Sequence, residues 1–354
     1  MIARLRLNSL APESPQMTPD DFRLPRREWL AYAAVFGPTV MGTAAAAMTQ
    51  SPPQVAGKPA HAAKRYKMKK SINLWALPYP DTMDLRQCLE VCKAAGFDAV
   101  ELNYDLESDI SIQANERQLQ EVGKLTRDLG LEVSGLCSFL FWPYSLTSND
   151  PQRRAKGREL LPKMIDAAHQ LGTANLLVVP GAVYIPWSPE PEPVASDVCW
   201  QRATESLAAV LPQAKQAGVF LNVENIFANG FLMTPMEMNR FVDAFESDQI
   251  GVHFDTGNIM QFQFPEDWIR QLGSRINNVH LKEYSKQAGT QFSLESFRPL
   301  LDGTTDWPDV LDAFTEVGYE GYLTFEYFHP FPHYPEALVY HTSDALDRML
   351  GRTV

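Results

Sequence analysis

Residues 251–258 read GVHFDTGN, a short apolar run that ends on Asp255 and turns at Gly257. A run of this length, bounded by glycine, is typical of a buried strand. In a barrel of parallel strands, the side chains at the carboxyl ends of the strands project into one common rim. Such a barrel would explain an aspartate at the end of a buried run, and seven further runs of the same kind should then occur.

The sequence contains these seven runs, each apolar and bounded by Gly, Pro or Asp. They are SINLWAL (71–77), FDAVELN (97–103), LEVSGLC (131–137), ANLLVVPG (174–181), VFLNVEN (219–225), INNVHLK (276–282) and YLTFEY (322–327). Between them lie segments with apolar residues at helical spacing, several of which end just before a glycine, as a helix C-terminal cap requires. The pattern predicts an α/β fold, a (β/α)8 TIM barrel that forms a single domain over residues 68–354. A doubly wound sheet is the alternative, but no glycine-rich fingerprint supports it.

Composition narrows the class of partner. The chain has 354 residues, 45% of them hydrophobic and 21% charged, with a formal net charge of −12. Nucleic acid is not expected as a partner, because affinity for a phosphate backbone comes mainly from clustered Lys and Arg. The four cysteines match no zinc spacing, and Cys88 and Cys92, one helical turn apart, are expected to pack in the core. A small neutral or polar ligand fits best.

The first 47 residues are expected to be an export signal rather than part of the fold. In LPRREWLAYAAVFGPTVMGTAAAA (24–47), Arg26 and Arg27 precede a weakly apolar segment that ends in small residues, which resembles a twin-arginine signal. A membrane anchor is the alternative, but glycine and proline interrupt the segment. Residues 48–67 are expected to be a flexible linker. The barrel is therefore predicted to be periplasmic or secreted, with no stable membrane span after signal cleavage.

Four consecutive strands are expected to deliver ligating side chains to the rim. Glu224 closes the fifth run and Asp255 the sixth, while His280 and Glu326 nearly close the seventh and eighth. Three crowded carboxylates repel one another unless a cation neutralises them. One divalent metal ion is therefore predicted, with manganese as the first choice and cobalt, magnesium or zinc as the others. Taken singly, each residue has a structural alternative, such as a helix cap or a core histidine; their coincidence on four strands favours the metal site.

A second polar layer is expected directly beneath these ligands. Strand side chains two residues apart point the same way, so Asn222, His253, Asn278 and Thr324 should lie one step deeper in the barrel. All four are polar, which is unusual for a barrel core. The hypothesis is that they orient the ligating groups.

Three segments carry a resemblance to a known family: GFDAVELNY (96–104), VENIFANGFLMTPMEM (223–238) and LLDGTTDWPDVLDAFTEVGYEGYLTFEY (300–327). They resemble the xylose isomerase-like TIM barrel superfamily of sugar isomerases and epimerases, over essentially all of residues 68–354. The four expected ligands are similar to the metal quartet of its D-tagatose 3-epimerase and L-xylulose-5-phosphate 3-epimerase branches. The resemblance implies a divalent-metal-dependent isomerase or epimerase that acts on a ketose or keto-sugar through an enediolate. Glu224 and Glu326 would be the acid and base that exchange protons.

The resemblance also implies contacts to a small-molecule sugar. Glu101, Asn258 and Lys282 are expected to bind sugar oxygens, and Trp75 to stack on a sugar face, as Trp142 and Trp187 would from other strand ends. Asn258 stands where the tagatose-type enzymes have a substrate-binding histidine, and DTGN instead resembles the pentulose-phosphate branch. For each residue a structural role is the alternative: a loop hydrogen bond, a solvated lysine or core packing.

Three other functions compete with this interpretation. A lyase or hydratase acting on 3-keto-glycosides would use the same proton removal beside a carbonyl but end in elimination. A non-catalytic sugar-binding protein would keep the aromatic side chains but has no need of four converging ligands. Metal-dependent phosphodiester hydrolysis, as in endonuclease IV of this fold, needs a trinuclear site with many more histidines; the seven here include His61 in the linker and His169 in a helix, and the acidic net charge also argues against it. A homo-oligomer is a further expectation.

Overall fold

The computed structural model describes residues 65–352, except 186–190, 228, 289–293 and 329–330. These residues all lie in one compact unit, Ala63–Val354. The expected export signal and most of the expected linker lie outside the described residues. At the end of that linker, Tyr66 is already attached to the rest of the unit: its N–H donates to the Leu350 carbonyl at 3.1 Å and its hydroxyl donates to Asp312 at 2.9 Å.

Eight parallel strands form a closed barrel, which confirms the predicted TIM barrel. The barrel strands are β1 (Lys69–Asn73), β2 (Ala99–Asn103), β3 (Glu132–Cys137), β4 (Asn175–Val178), β5 (Phe220–Glu224), β6 (Ile250–Asp255), β7 (Ile276–Leu281) and β10 (Tyr322–Phe325). Each strand pairs with its neighbours along the chain, and β10 closes the barrel against β1. A small antiparallel pair, β8 (Glu283–Tyr284) and β9 (Phe297–Arg298), lies in the connection after β7.

A helix follows each barrel strand. These helices are α1 (Leu85–Ala94), α2 (Glu116–Asp128), α3 (Pro151–Leu171), α4 (Ser196–Ala217), α5 (Pro235–Asp243), α6 (Pro265–Leu272), α7 (Trp307–Glu316) and α8 (Pro335–Met349). Their ends follow local sequence signals. Asp84 forms a capping box with Gln87 at the start of α1. Gly172 and Gly218 adopt left-handed conformations after α3 and α4, where other residues would be strained.

The alternation of side chains along β6 shows how the site is placed. Phe254 points outward and stacks on Trp268 of α6, with ring centroids 6.0 Å apart. His253 and Asp255, one position to either side, therefore face the barrel interior, because successive strand side chains point to opposite faces. Apolar residues fill the layer between barrel and helices. All four cysteines are free and buried, as expected for Cys88 and Cys92. Cys137 lies inside the barrel, where its Sγ accepts hydrogen bonds from Asn73 at 3.2 Å and Asn103 at 2.9 Å.

Within the part of the chain that the structure describes, no helix combines the length and hydrophobicity that crossing a bilayer requires.

Candidate metal centre and active site

The four predicted ligands converge at the carboxyl end of the barrel. Each of Glu224, Asp255, His280 and Glu326 offers one ligand atom, and these atoms all lie within 4.8 Å of one another. His280 Nδ1 lies 3.4 Å from Glu224, 3.5 Å from Glu326 and 4.0 Å from Asp255. All four side chains are buried. We call this group the quartet.

The turn after β6 holds Asp255 by one oxygen and leaves the other for a ligand. Asp255 Oδ1 accepts hydrogen bonds from the backbone N–H groups of Gly257 and Asn258, both at 2.8 Å. Asp255 Oδ2 faces the quartet and accepts no hydrogen bond. A side chain at Gly257 would collide with Lys282, since an added Cβ would lie 2.9 Å from its atoms. This close approach explains the glycine in GVHFDTGN.

Asn225 fixes the backbone of Asp255 from the neighbouring strand. Its side-chain oxygen accepts from the Asp255 N–H, and its amide donates to the Asp255 carbonyl, both at 2.8 Å. The sequence interpretation missed this residue, although its place directly after Glu224 at the end of β5 was a usable signal. It braces two members of the quartet against each other.

Glu101 lies in a different place from the one expected. It is fully buried rather than open to a sugar, and its Oε2 accepts a hydrogen bond from His280 Nε2 at 2.5 Å. Asn73 donates to the same oxygen at 2.6 Å. When His280 keeps its proton on Nε2 for Glu101, the lone pair of Nδ1 points into the quartet. Glu101 thus orients the imidazole from behind.

Lys282 supplies the positive charge nearest to the quartet in the described structure. Its Nζ lies 2.8 Å from Asp255 Oδ2 and also contacts Glu326, in ion pairs that lack hydrogen-bond geometry. It donates to Asn258 Oδ1 at 3.2 Å, while the Asn258 amide donates to the Asn225 carbonyl at 3.0 Å. Lys282 and Asn258, which were expected to bind sugar oxygens, lie beside the quartet, and both ends of the Asn258 amide already have protein partners.

The electrostatics reflect three carboxylates buried together. Burial raises the pKa of Glu224 to about 7; the nearby His280 opposes this shift, and the negative charge of Glu326 adds to it. Burial lowers the pKa of His280, but the charges of Glu101 and Glu326 outweigh it and raise the pKa well above its ordinary value. The carboxylates likewise raise the pKa of Lys282 against the effect of burial. Such a cluster attracts positive charge strongly.

The donor set fits a divalent cation. His280 Nδ1, Asp255 Oδ2 and Glu326 Oε2 are buried atoms without hydrogen bonds, and they face one another. A buried polar atom without a hydrogen bond costs folding free energy. Carboxylate oxygens together with an imidazole nitrogen are suitable ligands for Mn, Co, Mg or Zn. Glu283 is not available for a second ion at this position: its carboxylate accepts from Trp307 Nε1 at 2.6 Å and Thr305 Oγ1 at 2.7 Å. A second group of candidate donors, Glu101, His253 and His280, shares His280 with the quartet.

The polar layer expected beneath the quartet is present, but its contacts differ from those predicted. Asn222, His253, Asn278 and Thr324 are all fully buried. Only His253 is seen to touch the quartet, with its ring 4.1 Å from that of His280. Burial, together with the charges of His280 and Lys282, lowers the pKa of His253 well below its ordinary value, so its ring is neutral.

The other three members of that layer form contacts elsewhere. Asn222 donates to Asn175 Oδ1 at 3.0 Å and accepts from Asn277 at 2.9 Å. Asn278 donates across the barrel to the Ser134 carbonyl at 3.3 Å. The Thr324 hydroxyl has no hydrogen-bond partner. These three residues were expected to orient the ligands. In the structure, Glu101 and Asn225 have that position instead, because they contact His280 and Asp255 directly.

Aromatic side chains surround the entrance to the quartet. The half-buried Trp75 packs against Phe328, with ring centroids 5.1 Å apart. Phe227 and Phe297 form a second pair at 5.0 Å. The Lys282 ammonium lies 5.0 Å from the Phe297 ring and 5.3 Å from the Phe328 ring, so both pairs border the site. Trp142 packs against the core, and Trp187 lies outside the described residues.

A family profile matches this barrel and its site. The profile described as "Xylose isomerase-like TIM barrel" matches residues 89–347. The chain belongs to this family. The resemblance inferred from the sequence motifs is thereby confirmed.

Several curated relatives are enzymes named as epimerases. An L-ribulose 3-epimerase of Mesorhizobium japonicum is 29% identical over 250 residues, covering 69% of this chain and 76% of the relative. A putative L-ribulose-5-phosphate 3-epimerase of Escherichia coli is 25% identical over 244 residues, covering 67% of this chain and 82% of the relative. The expected enzyme class, a sugar isomerase of the epimerase type, is confirmed.

Solved structures share the fold. A crystal structure of D-psicose 3-epimerase in the presence of D-fructose superposes with a TM-score of 0.66 at 18% identity, covering 80% of this chain and 100% of the other. A structure of L-ribulose 3-epimerase gives a TM-score of 0.63 at 23% identity, covering 80% of this chain and 94% of the other. At these identities the likeness shows the fold alone.

Proposed function

We propose that this protein is a divalent-metal-dependent epimerase that inverts the carbon beside the carbonyl of a ketose or keto-sugar. The observation that carries the proposal is the convergence of three buried carboxylates and one imidazole, with ligand atoms within 4.8 Å of one another, at the end of four adjacent barrel strands. Relatives named as L-ribulose 3-epimerases support a ketose as the substrate class.

Glu224, Asp255, His280 and Glu326 would hold the ion in this proposal. When bound, a divalent cation polarises a carbonyl and stabilises the negative charge that develops on its oxygen. Manganese is our first choice for the ion, with cobalt, magnesium and zinc as alternatives. Chelating the purified protein and restoring each ion in turn would rank them.

In this proposal, Glu224 and Glu326 transfer the proton of the carbon beside the carbonyl. Glu224 and Glu326 belong to the two outer strands of the arc β5, β6, β7 and β10, so they approach a bound sugar from two sides. One carboxylate removes the proton from the carbon beside the carbonyl, which gives an enediolate. The other carboxylic acid then returns a proton to the opposite face. Asp255, held at Oδ1, and His280, held by Glu101, keep the geometry fixed during the exchange.

Turnover in deuterated water tests this function. The panel consists of free ketoses, including L-ribulose and D-psicose, and of 3-keto-glycosides. The sugar that reacts should give an epimer carrying solvent deuterium at the inverted carbon, and recovered substrate should carry the same label. Proton exchange between half-reactions predicts this label. Product without solvent label would point instead to a hydride shift, and no exchange with any ketose or keto-glycoside would favour a sugar-binding protein. A 3-keto-glycoside lyase would be recognised in the same panel by an unsaturated product.

We also propose export through the twin-arginine route, based on Arg26 and Arg27 before a weakly apolar segment. Replacing both arginines with lysine should leave the precursor in the cytoplasm, as cell fractionation would show. Unchanged export would contradict this route.

A further inference from the structure

The active-site face is poor in cations. We define the rim as the eight segments that join each barrel strand to the helix after it. The rim segments are residues 74–84, 104–115, 138–150, 179–195, 225–234, 256–264, 282–306 and 326–334. Across the full sequence of the rim, the lysines and arginines are Lys282, Lys286 and Arg298. All three belong to one segment, although the whole chain has 31 such residues.

Each of these three cations already has a partner. Lys282 is buried against Asp255 and Glu326 of the quartet. Arg298 donates to Asp302 from Nε at 3.0 Å and from Nη2 at 2.5 Å. The Lys286 ammonium lies 3.8 Å from the centre of the Phe264 ring. Lys286 is exposed and Arg298 is partly exposed, so the rim has few cations, and all of them come from the single segment 282–306.

The helix N-termini at the rim are also unsuited to an anion. In TIM barrels, phosphate groups commonly bind backbone N–H groups at such termini. Here each of the eight helices carries an acidic side chain at its cap or in its first turn. These side chains are Asp84, Glu116, Asp150, Asp197, Glu237, Glu266, Asp306 and Glu336. The first turns of α1, α2 and α3 also carry arginines: Arg86, Arg117 and Arg153 form ion pairs with Glu90, Glu121 and Asp150, and Arg154 donates to the carbonyl oxygens of Ser148 and Asn149. At Asp84 and Asp150, the carboxylate accepts a hydrogen bond from a first-turn N–H at 2.8 Å, where a phosphate oxygen would otherwise bind.

The entrance offers aromatic surface instead of charge. The pairs Trp75 with Phe328 and Phe227 with Phe297 come from the segments after four different strands and meet around Lys282. Phe328 keeps 41% of its surface exposed, so part of this aromatic wall remains open. Ring faces of this kind pack well against the C–H surface of an uncharged sugar.

We propose that the substrate is an uncharged keto-sugar, and that the acidic, aromatic rim discriminates against its phosphate ester. This inference rests on the proposed epimerase function and narrows its substrate class. A phosphate would lose hydration on entry and meet more carboxylates than cations, and like charges placed together reject the wrong ligand. The chain would thus differ in substrate from its relative named as a putative L-ribulose-5-phosphate 3-epimerase.

A matched pair of substrates tests this proposal on the metal-loaded enzyme. We expect kcat/KM for L-ribulose to exceed that for L-ribulose 5-phosphate by roughly 100-fold. Raising the ionic strength should increase kcat/KM for the phosphate, because salt screens repulsion, and leave the free sugar unaffected. A phosphate ester that reacts equally well or better, or whose kcat/KM falls with salt, would overturn the proposal and leave the epimerase function standing. Failure of every ketose and every ester would overturn both.

The aromatic wall has its own test. Phe328→Leu should raise KM for the free ketose several-fold with a smaller change in kcat, since a ring face that packs against the sugar is lost. Tyr340→Leu is the matched control, because Tyr340 is a similarly exposed aromatic residue on α8, outside the rim. Equal KM values for the wild type, Phe328→Leu and Trp75→Leu would remove the aromatic wall from the account of specificity.

Discussion

The barrel interior holds two polar regions that differ in how their polar atoms are satisfied. In the amide layer, made of Asn175, Asn222 and Asn277, each side chain bonds to the next, and Asn175 donates onward to the Ser134 carbonyl at 3.0 Å. In the quartet, the facing atoms of Asp255, His280 and Glu326 have no hydrogen bonds, and of the lysines and arginines in the described structure only the Lys282 ammonium offsets the charge of the two carboxylates. The first region is complete without a ligand, and the second is not.

This difference separates structural polarity from functional polarity. Polar side chains inside a barrel are expensive unless they are paired, so an amide layer that pairs with itself is consistent with a fold-stabilising role. Like charges held together with unmet atoms persist only where a bound cation or substrate stabilises them. The sequence pattern alone predicts that Asn222 and Asp255 belong to one functional site. Their hydrogen-bond partners in the structure distinguish the paired amide from the carboxylate that faces the quartet.

Outside the quartet, the largest loss of metal affinity is expected at Glu101, whose carboxylate holds the His280 ring from the side opposite the other ligands. In Glu101→Gln the charge behind His280 is lost, so His280 becomes a poorer ligand, and metal affinity should fall by about 10–100-fold. Isothermal titration of the metal-free protein with Mn²⁺ measures this change. Glu132→Gln, at the exposed start of β3, is the control and should bind metal like the wild type. Equal affinities for wild type and Glu101→Gln would show that Glu101 has only a packing role.

A smaller effect, confined to stability, is expected in the amide layer. Asn222→Ala leaves the partly buried Asn175 and Asn277 without their partner, and the loss of these two hydrogen bonds should lower the unfolding free energy by about 1–3 kcal/mol in total. Thr324→Val removes a buried hydroxyl that has no hydrogen-bond partner, and should be neutral or stabilising. Urea unfolding of the metal-free variants measures both. Loss of metal affinity in Asn222→Ala without loss of stability would mean that the amide layer belongs to the site after all.

The barrel and the quartet could be predicted because both follow from local sequence signals. Strand ends are marked by apolar runs that stop at polar residues, and parallel strands bring their carboxyl ends to one rim. Glu224, Asp255, His280 and Glu326 needed no information beyond their place at the end of a run. Likewise, Lys282 was expected to bind a sugar oxygen because it follows His280 by two residues at the end of the same run.

The role of Glu101 could not be predicted, because it depends on contacts across the barrel. Its hydrogen bond to His280 joins residues 179 positions apart in the sequence. A register shift between Val252 and His253 also places Asn277, rather than Asn278, against Asn222. Gly251 makes room for the Asn277 amide, since an added Cβ would lie 2.2 Å from it. Side-chain periodicity carries no information about such shifts.

We propose that the quartet holds a single divalent cation, and the metal content of the purified protein is the direct test. Asp255→Asn keeps the Oδ1 contacts to the Gly257 and Asn258 N–H groups, so the barrel should fold while the ligand charge is lost. Elemental analysis after loading with Mn²⁺ and desalting should find one ion per chain in the wild type and in Asn222→Ala, and close to none in Asp255→Asn. Full occupancy in Asp255→Asn, or no bound ion in the folded wild type, would contradict the account.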